Sequence, residues 1–330
     1  MRRLVATNLA ALLLSCSWAN AVEVAVSAAP ITSFEASALD QPIGKLIFRG
    51  GVALVAQDDT FGGLSGLTVT GPNQQMLFVT DRGNFVSGQL AYDENNRLFG
   101  FIGVTIEPMQ NSKGAPLPRQ YAKDAESVDT VYRNGVPVAA RVGFENLTRV
   151  ADFALTDGIP GGPARELAIP QWLSDLRSNE ALESVCVAPP ASPIAGSTLL
   201  LTEGVLDQDG NHPGWLLGQS DKGPIAYAKS RSVDPTECAF LPNGDLLVLE
   251  RGVSMLSFVM NLRRVPAADV RPGAVMQGEL LLSATGGAID NMESMTVHTA
   301  PGGETRILIG SDNNFNDWQR SLLLEFALPN

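Results

Sequence analysis

The amino-acid sequence predicts an all-β protein, a single β-propeller of five blades, with six as the alternative count. Three observations predict it. A short apolar stretch carrying a Glu recurs as Asp124-Ala125-Glu126-Ser127-Val128, Ala181-Leu182-Glu183-Ser184-Val185, Pro235-Thr236-Glu237-Cys238-Ala239 and Asn291-Met292-Glu293-Ser294-Met295. The Glu-to-Glu intervals are 57, 54 and 56 residues, and a degenerate first copy, Gly63-Leu64-Ser65-Gly66-Leu67, puts Ser65 in the Glu position 61 residues before Glu126. Each copy is followed by a second β-rich run that closes on an acid, with turn signals such as Asn134-Gly135 and Pro242-Asn243-Gly244 between the two. A repeat of about 45–60 residues holding four short strands is how a propeller blade reads in sequence.

Taken in chain order, the first element is an address. Met1-Arg2-Arg3 is a positive n-region, Leu4 to Leu14 a mostly apolar run, and Ala19-Asn20-Ala21 a small-x-small cleavage pattern. Residues 1–21 therefore read as a secretory signal and residues 22–330 as the propeller. A lipoprotein signal, with Cys16 as the lipidated residue, is the alternative reading. Lys45-Leu46-Ile47-Phe48-Arg49 precedes the first copy and has no blade of its own. The fifth copy runs out of chain after Leu322-Leu323-Leu324-Glu325-Phe326, so pairing of the two terminal strands is expected to close the ring and remove its exposed edges. Pro170 to Leu176 has the spacing of a short helix decorating a loop.

Composition narrows the function. Of 330 residues, 45% are hydrophobic and 18% charged, which is a folding chain with ample core. The 23 Lys+Arg stand against 35 Asp+Glu, a net charge of −12, so the clustered cations that grip nucleic acid are not available. Two His exclude a His-built zinc or copper site. No later stretch resembles a membrane span, so a secreted or periplasmic monomer is expected. Beyond the signal, Cys186 and Cys238 read as two small buried side chains, although an oxidising compartment would allow a disulfide.

In a blade the first strand lines the central channel and the second returns antiparallel beside it. The start of the first and the end of the second therefore lie at one end. The sequence thus predicts a carboxylate ring at the channel mouth: Glu126, Glu183, Glu237 and Glu293 inside, with Asp81, Glu145, Glu203, Glu250 and Asp312 around them. Like charges held close raise one another's pKa and need an offset. Clustered carboxylate and amide oxygens suit a hard cation, chiefly Ca²⁺. The expected ligands are Asp81, Glu126, Glu183, Glu203, Glu237, Glu293 and Asp312, and the expected catalytic carboxyls Glu126, Glu183 and Glu293. Arg82 and Arg251, with Asn313 and Asn314, are the candidate contacts to an anionic substrate. The structural alternative is that each Glu staples one blade to the next, copied by duplication.

These residues resemble the secreted phytase-like domain family, also described as esterase-like activity of phytase. The resemblance rests on Gly62-Gly63-Leu64-Ser65-Gly66-Leu67, Thr80-Asp81-Arg82-Gly83, Asp124-Ala125-Glu126-Ser127, Asn179-Glu180-Ala181-Leu182-Glu183-Ser184, Leu249-Glu250-Arg251-Gly252, Asn291-Met292-Glu293-Ser294 and Ser311-Asp312-Asn313-Asn314-Phe315. Family members usually have Gly after the blade Glu, where this chain has Ser127, Ser184 and Ser294. The resemblance implies a secreted propeller that hydrolyses phosphoesters or carboxylesters. The leading expectation is a Ca²⁺-dependent hydrolase of a small anionic ester. A lactonase-like propeller and a non-enzymatic periplasmic binding module are the alternatives.

Overall fold

The computed structural model describes residues 21–178, 181–254 and 257–329. The segment read as an export signal, with Cys16, lies outside the described residues except for Ala21, as do Asn179 and Glu180.

Five sheets stand around one axis, making a five-bladed propeller. The innermost strands, in chain order, are Leu64–Gly71, Ala125–Arg133, Leu182–Val187, Asp234–Phe240 and Asn291–Thr299. Each pairs antiparallel with the strand that follows it, and each blade continues outward to a fourth strand. Two of the hairpins turn on Asn134-Gly135 and Asp157-Gly158, with φ of 53° and 76°, then 52° and 78°. Both residues of such a pair need positive φ, which Asn or Asp followed by Gly supplies at least cost.

The ring closes as the sequence predicts. Leu46–Ala56 pairs antiparallel with Ser321–Ala327 and is the fourth strand of blade 5. Phe48, Phe326 and Phe34 meet behind the join, fully buried, with ring centroids 5.1 to 5.6 Å apart. Burying one such side chain contributes about 1.5–3 kcal/mol. The chain adds a second tie: Val26–Ile31 lies along the outer edge of blade 5 and Val22–Val24 along that of blade 1. The segment after Pro170 forms the short helix Gln171–Ser174 between blades 2 and 3.

Cys186 on the inner strand of blade 3 and Cys238 on that of blade 4 are disulfide-bonded, their Cα atoms 6.0 Å apart. Sequence favoured two free buried thiols, because two Cys separated by most of a blade carry no pairing signal; the ring brings them side by side. A cross-link over 52 residues stabilises by about 4 kcal/mol on the chain-entropy model. The Cys186→Ser/Cys238→Ser double variant is expected to unfold about 2–4 kcal/mol earlier in denaturant titration; an unchanged midpoint would remove the bond from the fold's stability.

Candidate functional site

One device recurs at the start of every inner strand. Pairing with the second strand skips a residue, so that a β-bulge pushes Ser65, Glu126, Glu183, Thr236 or Glu293 out of register. A bulge leaves its extra residue unpaired and re-aims its side chain. In blades 2, 3 and 5 the re-aimed residue is a Glu, and these three gather at one mouth of the channel. The residue just past the pairing partner of the bulge joins them from the second strand: Asp81, Glu145, Glu203 and Asp312 in blades 1, 2, 3 and 5.

Blade 4 departs from the predicted ring by one residue in both strands. The bulge falls on Thr236, and Pro235 pairs with Glu250, so the second-strand position at the mouth is Arg251. Glu237 is therefore not a ring residue. Its carboxylate accepts from the Ser127 hydroxyl of blade 2 at 2.9 and 3.0 Å, across the intervening blade, and from the Cys238 amide at 2.9 Å. Burial pushes its pKa well above the usual carboxylate range. Glu250 turns away between the sheets, where it meets Tyr227 at 2.7 Å, Arg263 at 3.0 Å and Asn261 at 3.2 Å.

Arg251 is thus the cation of the ring. It donates to Glu203 at 2.9 Å and pairs with Glu293 and with the Asn291 amide oxygen. A guanidinium so engaged is a built-in counter-charge, not a spare hand for a substrate anion. Its effect is local. Among the described residues, Asp81, Asp124, Glu126, Glu145, Glu183 and Asp312 take part in no ion pair, so Arg251 leaves most of the mouth's acids without a cationic partner.

There the acids strain against one another. Burial, then the charges of Asp124 and Glu145, push Glu126 well above its ordinary range. Burial raises Glu145 to about 7, even though it accepts from the Ala181 amide at 3.0 Å and hydrogen-bonds the Glu183 carboxyl. Glu183 is also raised well above the ordinary carboxylate range, by burial and then by the charges of Glu203 and Glu145. Asp312 rises to about 7 through burial and then Glu293, and Asp81 to about 6 through burial and then Asp312. One Asp81 oxygen, Oδ1, is buried without any donor. Gly63 makes room for it: at φ +61°, a Cβ there would lie 2.4 Å from that oxygen. An orphan carboxylate oxygen costs about 1–3 kcal/mol or more unless a positive group meets it.

Asp124, Glu126 and Glu145 each offer an oxygen, all within 4.8 Å of one another. Three hard anionic oxygen donors converging at a mouth that also holds the orphan Asp81 oxygen are a fitting set for Ca²⁺. Asp124 is the residue sequence reasoning passed over. It sits two before the bulge, where the other blades have Gly63, Ala181, Asp234 and Asn291, so no repeat marked it.

The candidate anion contacts separate. Arg82 is exposed at the rim, its guanidinium 3.3 Å above the centre of the Phe315 ring. Asn313 Oδ1 accepts from the Gly63 and Phe315 amides at 3.1 and 3.2 Å, and Asn314 donates to Gln319 at 3.1 Å. Those bonds make the two Asn builders of the loop after Asp312.

Fold and site together define a class, five-bladed propellers with a carboxylate-lined channel mouth. Residues 59–315 match the phytase-like family, described as esterase-like activity of phytase, and the chain belongs to that family. No curated relative matches the chain. Among solved structures it is similar to an endo-arabinase from Bacteroides thetaiotaomicron VPI-5482 at 12% identity and a TM-score of 0.48, covering 82% of this chain and 95% of that one. It is also similar to the WD40 domain of Toxoplasma gondii coronin at 10% identity and a TM-score of 0.40, covering 93% and 87%, and to a glucose dehydrogenase at 12% and 0.41, covering 80% and 97%.

Proposed function

We propose that the protein is an exported, Ca²⁺-dependent hydrolase of a small anionic ester, a phosphomonoester first. The observation that carries the proposal is the convergence of Asp124, Glu126 and Glu145, with Glu183 hydrogen-bonded to Glu145. The first three would hold the cation, with Asp81 and Asp312 completing its surroundings. When bound, Ca²⁺ supplies the positive charge that polarises an ester oxygen and acidifies a water. Glu183 keeps its proton on the carboxyl that faces Glu145, in position for the leaving oxygen. Glu203 and Glu293, both paired with Arg251, form the part of the mouth whose charge a guanidinium already offsets. Arg82, stacked and exposed, presents its N–H edge to the anionic group. The disulfide supports an oxidising compartment, in keeping with export.

The test is turnover of an aryl phosphate by residues 22–330, in Ca²⁺ and in chelator. Ca²⁺-dependent turnover supports the proposal. A carboxylester or lactone turned over in its place would move the substrate and keep the site. Ca²⁺ binding with no turnover of any ester would leave a binding module. Arg82→Ala is expected to raise KM about tenfold for the anionic ester with little change in kcat, since it removes a contact common to ground and transition states. An unchanged KM would release Arg82 from the site.

A further inference from the structure

At the end of the propeller opposite the acidic mouth, a groove of about 710 Å³ runs between blades 1 and 5. Three turns frame it: 72–74 and 93–97 of blade 1, and 300–303 of blade 5. Its chemistry is unlike the mouth's. The polar lining is mainly carboxamide, from Asn73, Gln74, Gln89 and Asn96, and the apolar wall is Phe99 and Ile102, each about half exposed.

Two local irregularities build this surface. Pairing of the third and fourth strands of blade 1 jumps from Leu98↔Tyr92 to Gly100↔Ala91, so Phe99 is the bulged residue, turned outward. At the Asn73-Gln74 turn, Gln occupies the position that Gly fills at Asn134-Gly135 and Asp157-Gly158, at φ +64°. Such backbone strain persists only where the surroundings hold it, and it collects at ligand sites. Here blade 5 holds it: Gln74 donates to the Thr299 carbonyl at 2.7 Å, and its Oε1 lies 2.9 Å from His298 Nδ1. Behind them, His298 and Arg306 meet Glu325 at 2.9 and 2.8 Å, and Arg306 also holds the Asn96 carbonyl at 2.7 Å. Gln89, part of the groove's lining, donates through Nε2 to the Asn73 carbonyl at 2.6 Å. Asp93, the acid in the lining, spends Oδ1 on the amides of Asn95 and Arg97.

We propose that this groove binds an uncharged, hydroxyl-rich ring, that is, a glycan residue. Carboxamides both donate and accept, which suits vicinal hydroxyls. An outward aromatic offers a flat apolar face to the C–H side of a sugar ring. The volume is that of an ordinary small-ligand site with a few convergent polar groups on an apolar wall. Among the described residues no Lys or Arg side chain is part of its lining, and Arg97 of the framing turn is paired with Asp40, so an anion finds no free cation there. The site is independent of the acidic mouth, and its occupancy does not depend on the ester chemistry proposed above.

The test is calorimetric titration of residues 22–330 with a panel of methyl pyranosides and short neutral oligosaccharides, in Ca²⁺ and in chelator. At least one member is expected to bind equally in both. Phe99→Ala and Gln89→Ala, both at exposed side chains, are each expected to weaken it at least tenfold without moving the melting temperature. Failure of the whole panel to bind overturns the proposal. Binding that survives both substitutions, or that vanishes with chelator, overturns it as well.

Discussion

Without Ca²⁺, the melting temperature is expected to fall as pH rises from 5 to 8, and with saturating Ca²⁺ that fall is expected to flatten or reverse. The sign follows from the direction of the shifts. A carboxyl whose folded pKa lies above its unfolded value binds its proton more tightly when folded. Its contribution is complete below the unfolded value and is lost as pH climbs through the folded one. Asp81 at about 6, with Glu145 and Asp312 at about 7, place the loss between about pH 4 and pH 7. Ca²⁺ acts in the opposite sense, since it binds the ionised ring and not the unfolded chain. At a hundredfold excess over Kd it stabilises by about 2.7 kcal/mol, worth on the order of 5 °C for a chain of this size. Differential scanning calorimetry at four pH values, with Ca²⁺ and with chelator, reads both effects. A flat profile in chelator, together with no Ca²⁺ shift, would mean that neighbouring blades already satisfy the acids.

The second large effect belongs to Asp124. Asp124→Asn keeps the shape of the side chain and removes the charge, so Ca²⁺ affinity is expected to drop about a hundredfold and turnover with it. Glu126→Gln is expected to do the same. Glu183→Gln should behave differently, losing kcat by about 10²–10⁴ while retaining Ca²⁺, because its part is to carry a proton. Glu237→Gln is the contrast. Off the ring, it is bonded to the Ser127 hydroxyl and the Cys238 amide and should leave both Ca²⁺ affinity and kcat in place. Calorimetric titration with Ca²⁺ and steady-state kinetics on the four variants separate these roles. If Asp124→Asn binds Ca²⁺ as tightly as the parent, the cation site is elsewhere.

The blades were legible because each repeats an apolar inner strand, a turn and a returning strand, and that periodicity survives divergence. The join of the termini was legible because Leu46 to Phe48 had no partner of its own and the fifth copy ended early. The mouth was legible in blades 1, 2, 3 and 5, and blade 4 misled for a definite physical reason. Glu237 and Glu250 are each displaced by one residue, Glu237 one past the bulge and Glu250 one short of the mouth position, yet each still sits in an apolar stretch like that of a true copy. Strand register alternates faces at every residue, and a one-residue slip sends both side chains elsewhere. Only the pairing itself reveals that Thr236 and Arg251 occupy those positions. Asp124 was hidden for another reason. Its position carries Gly, Ala, Asp and Asn in the other blades, and repetition cannot flag what does not repeat consistently. The Cys186–Cys238 bond, likewise, depends on two strands becoming neighbours, which spacing alone does not encode.

The way the ring closes has a consequence for its lifetime. Blade 5 draws its strands from both ends of the chain, with Phe326 set against Phe48 and Leu322 against Ala53. Contacts so distant along the chain form last, after the entropy of a very long loop has been overcome, and topologies dominated by them fold slowly. The same join is what an unfolding molecule must part. Val26–Ile31 and Val22–Val24 sew the entering segment onto two successive blades, so the first strand to peel is held at both of its neighbours. A protein tied in this way resists by the height of a barrier as well as by the depth of a well.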